Sequence, residues 1–198
     1  MLVPGTQMHW STLGVTCVEI LILFYLLIYR VARPDDKSAY LNIILLVLLL
    51  IYNVTGGLLP DPHLPGSFFV QECIAYATGF ITPCFFPYYV YKGFGLKAMW
   101  FHAFRGIYFF LVLPYLLFVC AFALSGSLEY AKTILIVPVV YALWVLISLM
   151  RSIRLKYSND FSTPDAKIEI IVLFLSLSPW VGLPVIAYFD YNQTFEVI

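Results

Sequence analysis

Six stretches of the chain are apolar for about the length of a bilayer crossing, and short polar or proline-rich segments divide them. A helix rises about 1.5 Å per residue, so a hydrocarbon core about 30 Å thick needs about 20 mostly apolar residues. Residues 13–29, 41–59, 68–91, 106–124, 130–150 and 168–189 fit that pattern. The dividers are Arg33-Pro34-Asp35-Asp36-Lys37, Pro60-Asp61-Pro62-His63-Leu64-Pro65-Gly66, the turn Ser125-Gly126-Ser127, and Ser158-Asn159-Asp160. This pattern predicts an all-α integral membrane protein: a bundle of six transmembrane helices forming one domain over residues 1–198.

Direction follows from the basic residues, because Lys and Arg in short loops stay on the cytoplasmic side. The connection after the first span carries Arg30, Arg33 and Lys37. The one after the third carries Lys92, Lys97 and Arg105. The one after the fifth carries Arg151, Arg154, Lys156 and Lys167. Of the eleven basic residues, only Lys132 falls on the other side. The expectation is therefore cytoplasmic alternate connections, with both termini outside the plasma (inner) membrane. Trp10, Tyr29, Tyr40, Tyr88, Tyr89, Tyr91 and Trp100 lie where an interfacial aromatic belt belongs.

Composition agrees. Hydrophobic residues make up 62% of the 198, charged residues 11%, and mean hydropathy is +0.91. A soluble domain carries about 25% charged residues, so the apolar surplus has to face lipid. The net charge of zero argues against nucleic-acid contacts by this portion. Cys17, Cys73, Cys84 and Cys120 sit in apolar runs without CxxC spacing and read as small buried hydrophobes. Residues 1–14 have no Lys or Arg, so the start lacks the basic region of a cleavable signal. The last residues form a short outer tail, which predicts that the natural chain continues into a seventh helix. The alternative is a complete six-helix protein.

Ionisable side chains inside a span cost about 2.5–3.5 kcal/mol at its centre and mark sites by default. Glu19 lies about two turns below the outer end of span one, and Glu72 about one turn below that of span three, beside Gln71. Asn53 and Thr55 occupy a similar depth in span two, and Thr133 in span five. Glu19, Asn53, Thr55, Gln71 and Glu72 are therefore the candidate ligand-binding residues, in a layer open to the outside. Interhelical hydrogen bonding is the plainer role, above all for Asn53 and Thr55. His9, His63 and Asp61 lack metal-binding spacing, so neither a metal nor another cofactor is expected. His102 reads as a cytoplasmic interfacial residue. No GxSxG motif, P-loop or intramembrane aspartate pair marks an enzyme.

Prolines form a second pattern. Pro83, Pro87, Pro114, Pro138, Pro179 and Pro184 fall within spans three to six. Each removes one backbone hydrogen bond and is expected to kink its helix. Gly56-Gly57 ends span two, and three prolines stiffen the turn from Pro60 to Pro65.

Three runs carry a resemblance. They are Tyr52-Asn53-Val54-Thr55-Gly56-Gly57-Leu58-Leu59-Pro60-Asp61-Pro62; Phe86-Pro87-Tyr88-Tyr89-Val90-Tyr91-Lys92; and Phe101-His102-Ala103-Phe104-Arg105-Gly106 with Leu113-Pro114-Tyr115. Together they resemble the membrane portion of bacterial multi-helix sensory regulators. In that group a seven-helix sensor precedes a histidine kinase or a DNA-binding output domain. The resemblance covers about half of the chain and implies a sensor that works through a cytoplasmic output domain or partner protein. None of the 198 residues is expected to form such an output domain, which departs from the pattern.

The expected function is a membrane-embedded sensory domain of a bacterial signalling protein, binding a small-molecule or lipid ligand from the outer half of the bilayer. A small transporter or channel-like protein is the alternative. A membrane enzyme acting on lipids, with Glu19 or Glu72 as base and His63 assisting, comes third.

Overall fold

The computed structural model describes residues 2–4, 6, 8–157, 167, 168, 170, 171, 174 and 175. All named elements among them are helices: α1 (Trp10–Ala32), α2 (Lys37–Leu58), α3 (Phe68–Gly93), α4 (Leu113–Ser125), α5 (Leu128–Lys132) and α6 (Ile136–Lys156). Short 3₁₀ turns cover Lys97–Met99 and Thr133–Leu135, and two π-helical stretches, His102–Gly106 and Tyr108–Val112, lead into α4.

Among the described residues, four helical stretches are long and apolar enough to cross a membrane: Trp10–Ala32, Ala39–Leu58, Tyr108–Ser125 and Leu128–Lys156. They coincide with the first, second, fourth and fifth stretches expected from the sequence. The third forms as the 26-residue α3 but is not among the four. Gln71, Glu72, Thr78, Thr82 and Lys92 dilute its apolar character. For the sixth stretch, the described residues are helical. Most of it, with Pro179 and Pro184, lies outside the described residues.

The chain divides into two compact units, residues 1–82 and 83–198. The first unit is built on the hairpin of α1 and α2, which pack against each other. Its short turn is tied internally. The Tyr29 hydroxyl donates to Asp36 Oδ2 at 3.1 Å, and the Arg30 guanidinium donates to the carbonyls of Pro34 and Asp36. The amino-terminal segment folds back, with Leu2 bridging to His9. Met8 lies buried against Gly57, where a Cβ would press into the methionine side chain. After α2, the proline-rich connection is held from within. Gln71 Oε1 accepts from the Asp61 N–H at 2.6 Å, and Gln71 Nε2 donates to the carbonyls of Asp61, Leu64 and Gly66.

The second unit begins at Pro83, and the prolines explain its local geometry. Pro83 and Pro87 lie inside α3. Pro114 follows the π-helical stretches. A proline cannot donate to the carbonyl four residues back, and its ring crowds that carbonyl. The wider π winding just before it relieves that clash. Pro138 sits in the first turn of α6, directly after the tight 3₁₀ turn Thr133–Leu135. There the same conflict meets the opposite winding. The core of this unit is Leu111, Phe118, Phe122, Val145, Leu149 and Ile153, all buried. The Phe110 and Tyr141 rings stack at 4.9 Å beside it.

The turn between α4 and α5 depends on Gly126, which caps α4 at φ 64° and donates to the Phe122 carbonyl at 2.9 Å. Ser127 then caps α5 by accepting from the Tyr130 N–H. A Cβ on Gly126 would meet nothing within 4 Å, so a side chain there costs only backbone strain. Gly126→Ala is expected to destabilise the protein by about 1–2 kcal/mol. Thermal unfolding in detergent checks this, and an unchanged midpoint would contradict the left-handed cap.

Candidate functional site

Each unit carries one polar constellation on its helices. In the first, α1 is inverted relative to a helix of a soluble protein. Its only two buried residues are polar, Thr16 and Glu19. Val18, Leu21, Phe24, Tyr25 and Ile28 are exposed. Three residues apart, Thr16 and Glu19 share one helical face. The Thr16 hydroxyl turns back to the Thr12 carbonyl at 2.8 Å, which leaves Glu19 to reach across. Asn53 of α2 meets it: its Nδ2 donates to both Glu19 oxygens, at 2.9 Å each. Glu19 is 5% exposed. A single amide thus satisfies one face of a carboxylate that lies within a lipid-length helix.

The other candidates take different partners. Thr55 Oγ1 meets Thr78 Oγ1 of α3 at 2.6 Å. Thr55 also donates to the Ile51 carbonyl, and Thr78 to that of Ala75. With the Tyr52 carbonyl also 3.2 Å from Thr55 Oγ1, two hydroxyl protons serve four contacts. Gln71 spends its amide on the 61–66 connection, and Glu72 next to it is buried. The structure joins Glu19 to Asn53, ties Thr55 to Thr78, and uses Gln71 as a brace. His63 engages Asp61 through its backbone N–H at 2.8 Å. Thr133 is exposed, and its hydroxyl donates to the Tyr130 carbonyl.

The second constellation was not anticipated. His102, expected at an interface, is 3% exposed. Its Nδ1 lies 3.1 Å from the Tyr141 hydroxyl and its Nε2 lies 2.8 Å from Ser148 Oγ. Either neutral tautomer satisfies both contacts, because each hydroxyl can donate or accept. Gly106, one turn beyond His102, makes room for Tyr141, since a Cβ there would collide with the phenol oxygen. Phe101 and Trp144 complete the enclosure, edge-on to the imidazole at 5.4 and 5.1 Å. The signal was faint: Tyr141 and Ser148 are seven residues apart on α6, two helical turns on one face. Lys132, the one basic residue expected outside, is buried and lies 4.0 Å from Glu129.

Among the described residues the fold is helical, with four membrane-length stretches and the Glu19–Asn53 pair joining two of them. No protein-family model, curated protein or solved structure matches the chain.

Burial pushes the His102 imidazole down to about 4, below its ordinary value of about 6.5. The unfolded chain then binds the proton more readily than the folded one. The stability contributed by neutral His102 is complete above about pH 6.5 and is lost as pH falls toward 4. His102→Gln is expected to flatten the fall of the melting midpoint across that window. A mutant with the wild-type slope would contradict this. Separately, Gly106→Ala is expected to displace the Tyr141 ring, seen as a changed environment in near-ultraviolet circular dichroism.

Proposed function

We propose that the chain is the membrane-embedded sensory domain of a bacterial signalling protein, with six spans and the amino terminus outside. The observation that carries this reading is the Glu19–Asn53 pair. A carboxylate buried in a helix with otherwise lipid-facing side chains is costly, and such groups are retained where they act. Among the described residues its hydrogen-bond partner is a neutral amide, which a ligand amine, hydroxyl or amide can replace. A ligand that took over either side chain would alter how α1 packs on α2. Binding drives such a change only through its different affinity for the two arrangements.

The remaining features support the same reading. Gln71 holds the proline-rich connection rigid, so that connection frames the outer end of the first unit. The π-helical and 3₁₀ stretches before α4 and α6 are windings of the kind that often mark hinges and functional sites. The basic residues at the expected cytoplasmic connections orient those ends toward an output domain or partner protein. Glu72 and Thr55 extend the polar layer beyond Glu19.

The test is made in cells. A strain carrying Glu19→Gln, with normal amounts of the protein in its membrane, is expected to shift its transcript profile toward that of a deletion strain. Asn53→Ala is expected to do the same. Profiles indistinguishable from wild type for both variants would overturn the sensory role of this pair.

A further inference from the structure

The exposed face of α6 divides sharply in character along its length. Val140, Leu143, Ile147 and Met150 are exposed and apolar. The same face continues, three and four residues apart, into Arg151 and Arg154, also exposed. The apolar part runs about 15 Å, at about 1.5 Å per residue, the depth of roughly one leaflet's hydrocarbon. Cations then begin where such a leaflet would end.

Other exposed cations gather at that end of the second unit. Lys156 Nζ donates to the Phe94 carbonyl at 3.0 Å, which ties the carboxyl end of α6 to the connection after α3. Lys97 lies in the 3₁₀ turn Lys97–Met99 that packs on α6. The His102–Ser148 contact brings Arg105 within a turn of the same region. Among the described residues from 83 to 157, the only carboxylate is Glu129. It lies near the opposite end of the Leu128–Lys156 stretch, about 40 Å away along the helix. The basic end of the first unit is different, because Asp35 and Asp36 accompany Arg30 and Arg33 there.

Aromatic rings fix the level of these cations. The Arg105 guanidinium lies 5.3 Å from the Trp100 ring centre, and Lys156 Nζ lies 5.0 Å from that of Tyr157. Trp and Tyr settle at the headgroup level of a bilayer, so the charges beside them meet phosphates. A long apolar stripe ending in two arginines on one helical face matches an acyl chain ending in a phosphate. An acidic protein surface would match only the arginines.

We propose that this face of α6 binds an anionic phospholipid. Acyl chains lie along Val140, Leu143, Ile147 and Met150, and the headgroup phosphate meets Arg151 and Arg154. This depends on α6 lying in a membrane and is independent of the sensory reading. Arginine accepts phosphate through paired N–H donors, an arrangement that lysine cannot reproduce. Each basic residue near an anionic surface is worth on the order of fivefold in affinity.

Trp144 lies exposed on the same stripe and reports occupancy. The full chain is reconstituted in phosphatidylcholine vesicles containing a minor share of dibrominated phosphatidylglycerol, or the same share of dibrominated phosphatidylcholine. Bromine quenches nearby tryptophan, and the part of the signal lost in Trp144→Phe belongs to this site. Quenching of Trp144 is expected to favour phosphatidylglycerol by at least fivefold in relative affinity. Arg151→Gln with Arg154→Gln is expected to abolish the preference, while Arg30→Gln with Arg33→Gln leaves it in place. Equal quenching by the two lipids, or equal loss in both double variants, overturns the proposal. The exposed arginines would then be free for an acidic protein.

Discussion

A bilayer core supplies no water to polar side chains, so each one within it has to find its partner in the protein. The polar pairs of this structure answer that demand. In α1, the fully buried positions are Thr16 and Glu19, while Val18, Leu21, Phe24, Tyr25 and Ile28 are exposed. Hydrophobic burial cannot hold such a helix to its neighbour, because lipid chains satisfy Leu21 or Ile28 as well as another helix does. Van der Waals packing and the Glu19–Asn53 contact remain. The same logic recurs in the second unit, where His102 joins the helix leading into α4 to Tyr141 and Ser148 of α6.

Backbone winding answers a related constraint. A proline inside a lipid-facing helix frees a carbonyl that water cannot reach. The chain changes pitch beside Pro114 and Pro138, with π turns ahead of one and a 3₁₀ turn ahead of the other. These adjustments also place the side chains of the second polar cluster. The π-helical stretch His102–Gly106 carries both the histidine and the glycine that makes room for the Tyr141 phenol. Local geometry and polar pairing are therefore one problem at that site.

The helical class and four membrane-length stretches were legible, because apolar runs of fixed length are what the sequence displays most openly. The Gly126 turn was legible for a similar reason: small residues between two apolar runs permit little else. Glu19 stood out because carboxylates are rare in such runs. Its pairing with Asn53 was visible only as a similarity of depth, since a helical sequence does not say which faces meet. Gln71 illustrates the limit. Its proximity to Glu72 suggested a ligand contact, yet its amide braces the backbone of residues 61–66. His102 escaped because its two partners lie on a helix more than thirty residues away, and Trp100 and Arg105 beside it suggested an interface. Pro114 and Pro138 stand beside changes of winding, whereas Pro83 and Pro87 lie within the continuous α3, a difference the sequence does not reveal.

The central claim is that Glu19 and Asn53 hold α1 against α2 as a coupled pair. A double-mutant cycle with Glu19→Ala and Asn53→Ala, measured as reversible unfolding in lipid–detergent micelles, tests it most directly. The account predicts a coupling energy of about 1 kcal/mol, within the range found for hydrogen bonds between membrane helices. Additivity of the two substitutions within about 0.3 kcal/mol would contradict it.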